Sequence, residues 1–166
     1  MMTGLTSMIE TRLVNYQDPA DREALLHVLD IYSRDPMGAG EPLDAEVKSR
    51  LCDDLARFPG AVSFLAWSED DAIGLINGFL GYSTFKARPL MNIHDIAVVP
   101  GFRGFGVGRQ LLQAMQAHAD RQGCCKLTLE VLSGNQPARQ AYLKFGFEDY
   151  TLDPTAGTAM FMQKWL

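Results

Sequence analysis

A chain of 166 residues, 47% hydrophobic and 21% charged, has the size and composition of one soluble domain, which excludes disorder along most of its length. Its net charge of −5 argues against duplex nucleic acid as the main partner, and no apolar run approaches the roughly 18 residues of a membrane span. Ile9 to Val14 alternates weakly and predicts a first strand. Asp18 and Pro19, a capping residue followed by a residue suited to the first helical position, open a helix through about Ser33, with Leu25, Leu26, Leu29 and Tyr32 at helical spacing. Asp35 to Pro42 is rich in turn formers, and Asp44 to Arg57 predicts a second helix. Ala61–Trp67 and Ala72–Ser83 read as a hairpin around Ser68 to Asp71, and Gly74, Gly78 and Gly81 predict a bulge or bend in its second strand. Met91 to Val99 is a further strand, stopped by Pro100 and Gly101. A helix follows from about Gly106 to Arg121 with Gly123 as its stop, then a strand over Lys126–Leu132. Gln136–Lys144 is a helix that Asn135 can cap and Gly146 can end, and Thr158–Trp165 is expected as a last strand. This alternation predicts an α/β fold, a central mixed β-sheet of about 6–7 strands with helices on both faces.

Charge divides unevenly. Residues 1–90 carry 8 basic and 14 acidic side chains, a balance of −6, and residues 91–166 carry 7 basic and 6 acidic, a balance of +1. The first half suits a cation and the second tolerates an anion, although ordinary solubility explains the same numbers. Cys52, Cys124 and Cys125 form neither a disulfide framework nor a spaced zinc-ligand set. No metal site is expected, and reduced thiols point to a cytoplasmic protein. Met1 to Glu10 lacks the basic and apolar regions of a secretory signal.

The most informative stretch is Val98 to Arg109, in which Gly104, Gly106 and Gly108 alternate between a predicted strand and a predicted helix. Backbone N–H groups at a glycine-rich helix start form a concavity suited to an anion, and Arg103 and Arg109 add positive charge. Two well-known phosphate loops fail the test. Gly101 and Gly106 have the spacing of the nucleotide-hydrolase loop, but Val107 and Gly108 follow where Lys and Ser or Thr are required. The dinucleotide fingerprint needs a glycine where Arg109 stands. A tight turn without a ligand is the bland alternative.

Residues 93–108, with Arg103, Gly106 and Gly108 at the defining positions, resemble the acetyl-CoA signature of the GNAT superfamily of N-acetyltransferases. A second block, Asn135 to Phe147, resembles that family's Asn-x-x-Ala-x-x-x-Tyr-x-x-x-Gly-Phe motif through Asn135, Ala138, Tyr142, Gly146 and Phe147. The resemblance implies one GNAT-like domain over 1–166, with 1–90 on the acceptor side and 91–148 carrying the cofactor motifs. It implies acetyl-CoA as donor, its pyrophosphate on the amides of Arg103, Gly104, Phe105, Gly106, Val107, Gly108 and Arg109. Its pantetheine arm would add like a strand beside Ile96, Ala97 and Val98, which requires a splayed sheet, and the Val98 N–H would polarise the thioester. CoA is the product.

The implied reaction is acetyl transfer to a primary amine of a small molecule or peptide by direct attack. An alkyl amine of pKa about 10.4 is neutral in roughly one molecule in 2,500 at pH 7, so a base must take its proton. His94 is the first candidate, placed by simple alternation on one face with Asn92, Ile96 and Val98 and opposite Asp95. Glu130 is the second, and a packed core histidine is the competing reading of His94. Tyr142 would donate to the departing sulfur or merely pack, and Asn135 would hold the pantetheine, cap its helix, or both. Asp35, Glu41 and Asp44 are the acidic groups expected to attract a cationic amine, from loops at about 32–42 and 85–90. A sensor that binds acyl-CoA without turnover, and an enzyme using another acyl-CoA, stay open at this level, as does a homodimer.

Overall fold

The computed structural model describes residues 9–151 and 153–166, so most of the expectation for Met1 to Glu10 falls outside the described residues. Sheet order follows chain order: β1 (Ile9–Leu13), β2 (Ala61–Ser68), β3 (Asp71–Ser83), β4 (Arg88–Val98) and β5 (Leu127–Leu129). The first four are antiparallel neighbours and β5 joins β4 in parallel, so the sheet is mixed. Helices α1 (Pro19–Arg34) and α2 (Ala45–Arg57) precede β2, α3 (Val107–Arg121) lies between β4 and β5, and α4 (Gln136–Phe145) follows. The chain divides into two compact units, one up to Leu132 and one from Ser133 to Leu166.

Local chemistry explains the boundaries. Asp18 accepts from the amides of Ala20 and Asp21 at 3.0 Å each, and Pro19 follows where no N–H is needed. Asp44 caps α2 through the Glu46 amide. Gly123, at φ +71°, ends α3 in the left-handed conformation that costs glycine least. In the first unit, Leu25, Val28, Cys52, Leu65, Leu75 and Ala97 form a core between α1, α2 and one sheet face. The opposite face carries α3. Gly74 is the floor for that helix: a Cβ there would stand 2.9 Å from Val107 Cγ1, 3.0 Å from Leu111 Cδ1 and 3.1 Å from the Ala97 carbonyl oxygen. At Gly78 the nearest atoms belong to the flexible Met91 and Met115 side chains. Gly74→Ala is therefore expected to cost about 1–3 kcal/mol by overpacking, and Gly78→Ala less, measurable as a difference in urea midpoints.

Three expectations need correction. Thr158–Trp165 is not a strand; a strand needs a partner for its backbone groups, and the described part of the Ser133–Leu166 unit contains none. The strand expected over Lys126–Leu132 pairs only over Leu127–Leu129. The described sheet consequently has five strands rather than the expected 6–7. The short β5 has a cause in β4. Asn77 faces Asp95 and Gly78 faces Ile93, which leaves His94 as the extra residue of a bulge, and bulges terminate regular pairing. The bulge expected from the glycines of β3 is also present, at Ile73 beside Gly74.

Candidate active site

The β4–β5 ladder joins Met91, Asn92 and Ile93 to Leu127, Thr128 and Leu129, and among the described residues no strand pairs with residues 94–98 on that side, a free edge. Their peptide orientation follows from two hydrogen bonds. Before the bulge, the Met91 N–H donates to the Lys126 carbonyl, towards β5. After it, the Val99 N–H donates to the Ile73 carbonyl, towards β3. Alternation along an antiparallel strand then turns the peptide groups of Ala97 to β3 and those of Ile96 and Val98 to the free edge. An extended ligand with amide groups at strand spacing can add there as a further strand.

The glycine loop begins where this edge ends. Pro100–Phe102 forms one 3-10 turn, Gly104 and Gly106 both take φ +84°, and Gly106 precedes α3 with no side chain capping the helix. The first amides of α3 lack intrahelical acceptors and sit at the positive end of a 15-residue helix. Gly104 and Gly106 are demanded by their backbone angles. Gly108 has ordinary space, its Cβ position 3.8 Å from Val98 Cγ2, so its missing side chain leaves the helix start bare.

The Arg103 guanidinium does not add free charge to the loop as expected. Its Nη2 donates to Asp35 Oδ2 at 2.8 Å and its Nε to the Val98 carbonyl at 3.1 Å. The arginine thus ties the loop after α1 to the end of the free edge and holds the Asp35 carboxyl below the usual carboxylate range. Asp44 is committed as the cap of α2. Two of the three carboxylates expected to attract a cation are therefore already engaged, while Glu41 is exposed. Arg109 stands exposed in the first turn of α3.

The bulge also rearranges the candidate base. His94 is exposed, with its ring edge-on to Phe79 at 5.1 Å. Asp95 Oδ2 accepts from Asn77 Nδ2 at 3.0 Å. Phe79 and Asn77 lie two apart on β3 and share a face, so His94 and Asp95 share it too. Simple alternation had put them on opposite faces. The sequence does carry the signal: the apolar alternation runs Met91, Ile93 and then slips phase to Ile96, Val98. Asp95 and Asn77 lie on the same face as His94, which the alternation argument missed. Glu130 lies exposed, one residue past the end of β5 rather than within the expected strand.

In the Ser133–Leu166 unit, Asn135 accepts from the Ala138 amide at 3.3 Å, a helix cap. Tyr142 is half-buried with its ring against Phe147, 5.9 Å between centroids. Gly146, at φ +115°, closes α4 with its N–H on the Tyr142 and Leu143 carbonyls.

A family model described as the acetyltransferase (GNAT) family matches residues 25–147. Streptothricin acetyltransferase of Streptomyces lavendulae is 40% identical over 84 residues, covering 49% of this chain and 43% of that protein. Thialysine N-epsilon-acetyltransferase of Bos taurus is 36% identical over 73 residues, covering 44% and 42% respectively. This chain thus spans less than half the length of either relative. Among solved structures, AAC(6')-Iy in complex with the bisubstrate analogue CoA-S-monomethyl-acetylneamine superposes with a TM-score of 0.77 at 19% identity, over 96% of this chain and 100% of that one. The described residues contain no helix long and apolar enough to cross a membrane.

Proposed function

The chain belongs to the acetyltransferase (GNAT) family, and from that membership we propose that it transfers an acetyl group from acetyl-CoA to a primary amine of a small molecule or peptide. The observation that carries this reading is the free edge of β4 running directly into the uncapped, glycine-lined start of α3. One element offers main-chain groups to a pantetheine arm and the next offers amides to a pyrophosphate. The residues present therefore fit the cofactor, which supplies an activated acetyl group as a thioester.

The roles of the protein groups follow from their chemistry. Ile96 and Val98 offer peptide groups to the pantetheine, and the Val98 N–H is placed to polarise the carbonyl under attack. Arg103, Gly104, Phe105, Gly106, Val107, Gly108 and Arg109 contribute the amides of the pyrophosphate cradle. His94, exposed and two residues before Ile96, takes the proton of the attacking amine, with Glu130 as the alternative base. Tyr142, at the tyrosine position of the family-like Asn135–Phe147 block, would supply the proton that the departing sulfur needs. A phenol is protonated at neutral pH, the state this role needs. Asn135 caps α4 and, at the asparagine position of the family-like block, would assist the pantetheine.

Attack is direct. Neither of the two cysteines with a perturbed thiol is activated: burial pushes both the Cys52 and Cys124 thiols up, the wrong direction for a nucleophile. The test is thiol release from acetyl-CoA across a panel of amines. Amine-dependent release, with the acetylated amine identified by mass, supports the reading. Cofactor binding without release from any amine supports the sensor.

A further inference from the structure

Four polar side chains link the free edge of β4 to the start of α1, across three strands. Tyr16 Oη lies 2.7 Å from Ser63 Oγ, Ser63 Oγ donates to Asn77 Oδ1, and Asn77 Nδ2 donates to Asp95 Oδ2 at 3.0 Å. Ser63 and Asn77 are buried, at 1% and 4% exposure. The direction of the chain is fixed by valence. Ser63 has one hydroxyl hydrogen and spends it on Asn77, so Tyr16 must be the donor to Ser63. Every donor therefore points the same way, towards Asp95, and each bond polarises the next.

Such a chain serves an anion at its end. Asp95 is only partly exposed, and no cationic side chain among the described residues pairs with it. By contrast Asp30, Asp35, Asp53 and Asp54 each have an arginine or lysine partner. The Tyr32 phenol of α1 lies within electrostatic reach of both Asp95 and Asp35. Both negative charges, after burial, push the Tyr32 phenol up. A partly exposed carboxylate at the end of aligned donors, with no cationic partner among the described residues and one residue from a peptide group on the free edge, suits a cation brought by the acceptor.

We propose that Asp95 supplies the charge recognition of the acceptor, with Asn77, Ser63 and Tyr16 as positioning residues, and that the preferred acceptor carries a second ammonium group beside the amine that is acetylated. The inference rests on the N-acetyltransferase reading. The amine that attacks must be neutral, so the ammonium held by Asp95 is a different one. A diamine or longer polyamine fits, and a monoamine leaves Asp95 without its cation.

The experiment compares 1,4-diaminobutane with butylamine by thiol release from acetyl-CoA, in the wild-type protein, Asp95→Asn and Tyr16→Phe. The wild type is expected to favour the diamine in kcat/KM by about tenfold, the size of one charge-assisted hydrogen bond. Asp95→Asn should bring that ratio close to one, chiefly through KM. Tyr16→Phe keeps the ring and loses the first donor, and should lower the ratio part of the way, again through KM; it carries the test alone if Asp95→Asn fails to fold. No diamine preference in the wild type, or the same preference in both variants, overturns the proposal and leaves the N-acetyltransferase reading standing. No release from either amine, or from any other amine, overturns that reading and this one with it.

Discussion

Replacing Gly108 by glutamate is expected to stabilise the fold and weaken acetyl-CoA binding on the order of a hundredfold, since like charges forced together cost several kcal/mol. The two effects have opposite signs for one reason. Gly108 is the second residue of α3, with ordinary space around its Cβ position and no left-handed backbone angle. A side chain there meets no strain. Glutamate is a better helix former than glycine, and its charge complements the helix N-terminus, so about 1 kcal/mol of added stability is expected. The same charge occupies the place assigned to the pyrophosphate. Gly106 is a poorer site for this test, because at φ +84° any side chain is strained and loss of binding could be loss of local structure. Thermal unfolding read beside calorimetric titration separates the outcomes. Higher stability with unchanged affinity would remove the loop from the cofactor site.

His94→Ala should lower kcat a hundred- to thousandfold, the usual contribution of a positioned base, while leaving acetyl-CoA affinity intact. The side chain is exposed and its ring contact is with Phe79 alone among the described aromatic pairs, so the fold loses little. Tyr142→Phe should share this signature with a smaller loss, because the ring that packs on Phe147 is kept and only the hydroxyl goes. An unchanged kcat in His94→Ala, with a large loss in Glu130→Gln, transfers the role of base to Glu130.

What the sequence made legible was local chemistry. Asp18 followed by Pro19, Asp44, Asn135, Gly123 and Gly146 sit where the helices begin and end, because caps and left-handed stops depend on neighbours in the chain. The turn of the glycine loop was equally readable, since Gly104 and Gly106 take left-handed angles that favour residues without side chains. Strand partnership was not readable. Thr158–Trp165 has strand-like residues, yet pairing is decided by what lies alongside. Arg103 shows the same limit: the pairing of its guanidinium with Asp35, 68 residues away, could not be read from the chain. The bulge at His94 lies between these cases. Its phase slip stands in the sequence, but only the pairing of Asn77 with Asp95 reveals that His94 and Asp95 share a face. That one extra residue stops the ladder with β5, leaves the end of β4 without a strand partner on that side and turns Asp95 to the His94 face.

The most direct test of the central claim is titration calorimetry of the purified protein with acetyl-CoA, CoA and ATP. All three carry an adenine nucleotide, but only the first two carry the pantetheine arm that we propose pairs with the free edge of β4. Micromolar binding of acetyl-CoA and CoA, with ATP weaker by about tenfold or more, as expected if the strand-like contacts add more than 1.4 kcal/mol, is the predicted result. ATP binding as tightly as acetyl-CoA, or no binding of either CoA species, would contradict the assignment of this edge and loop to an acyl-CoA.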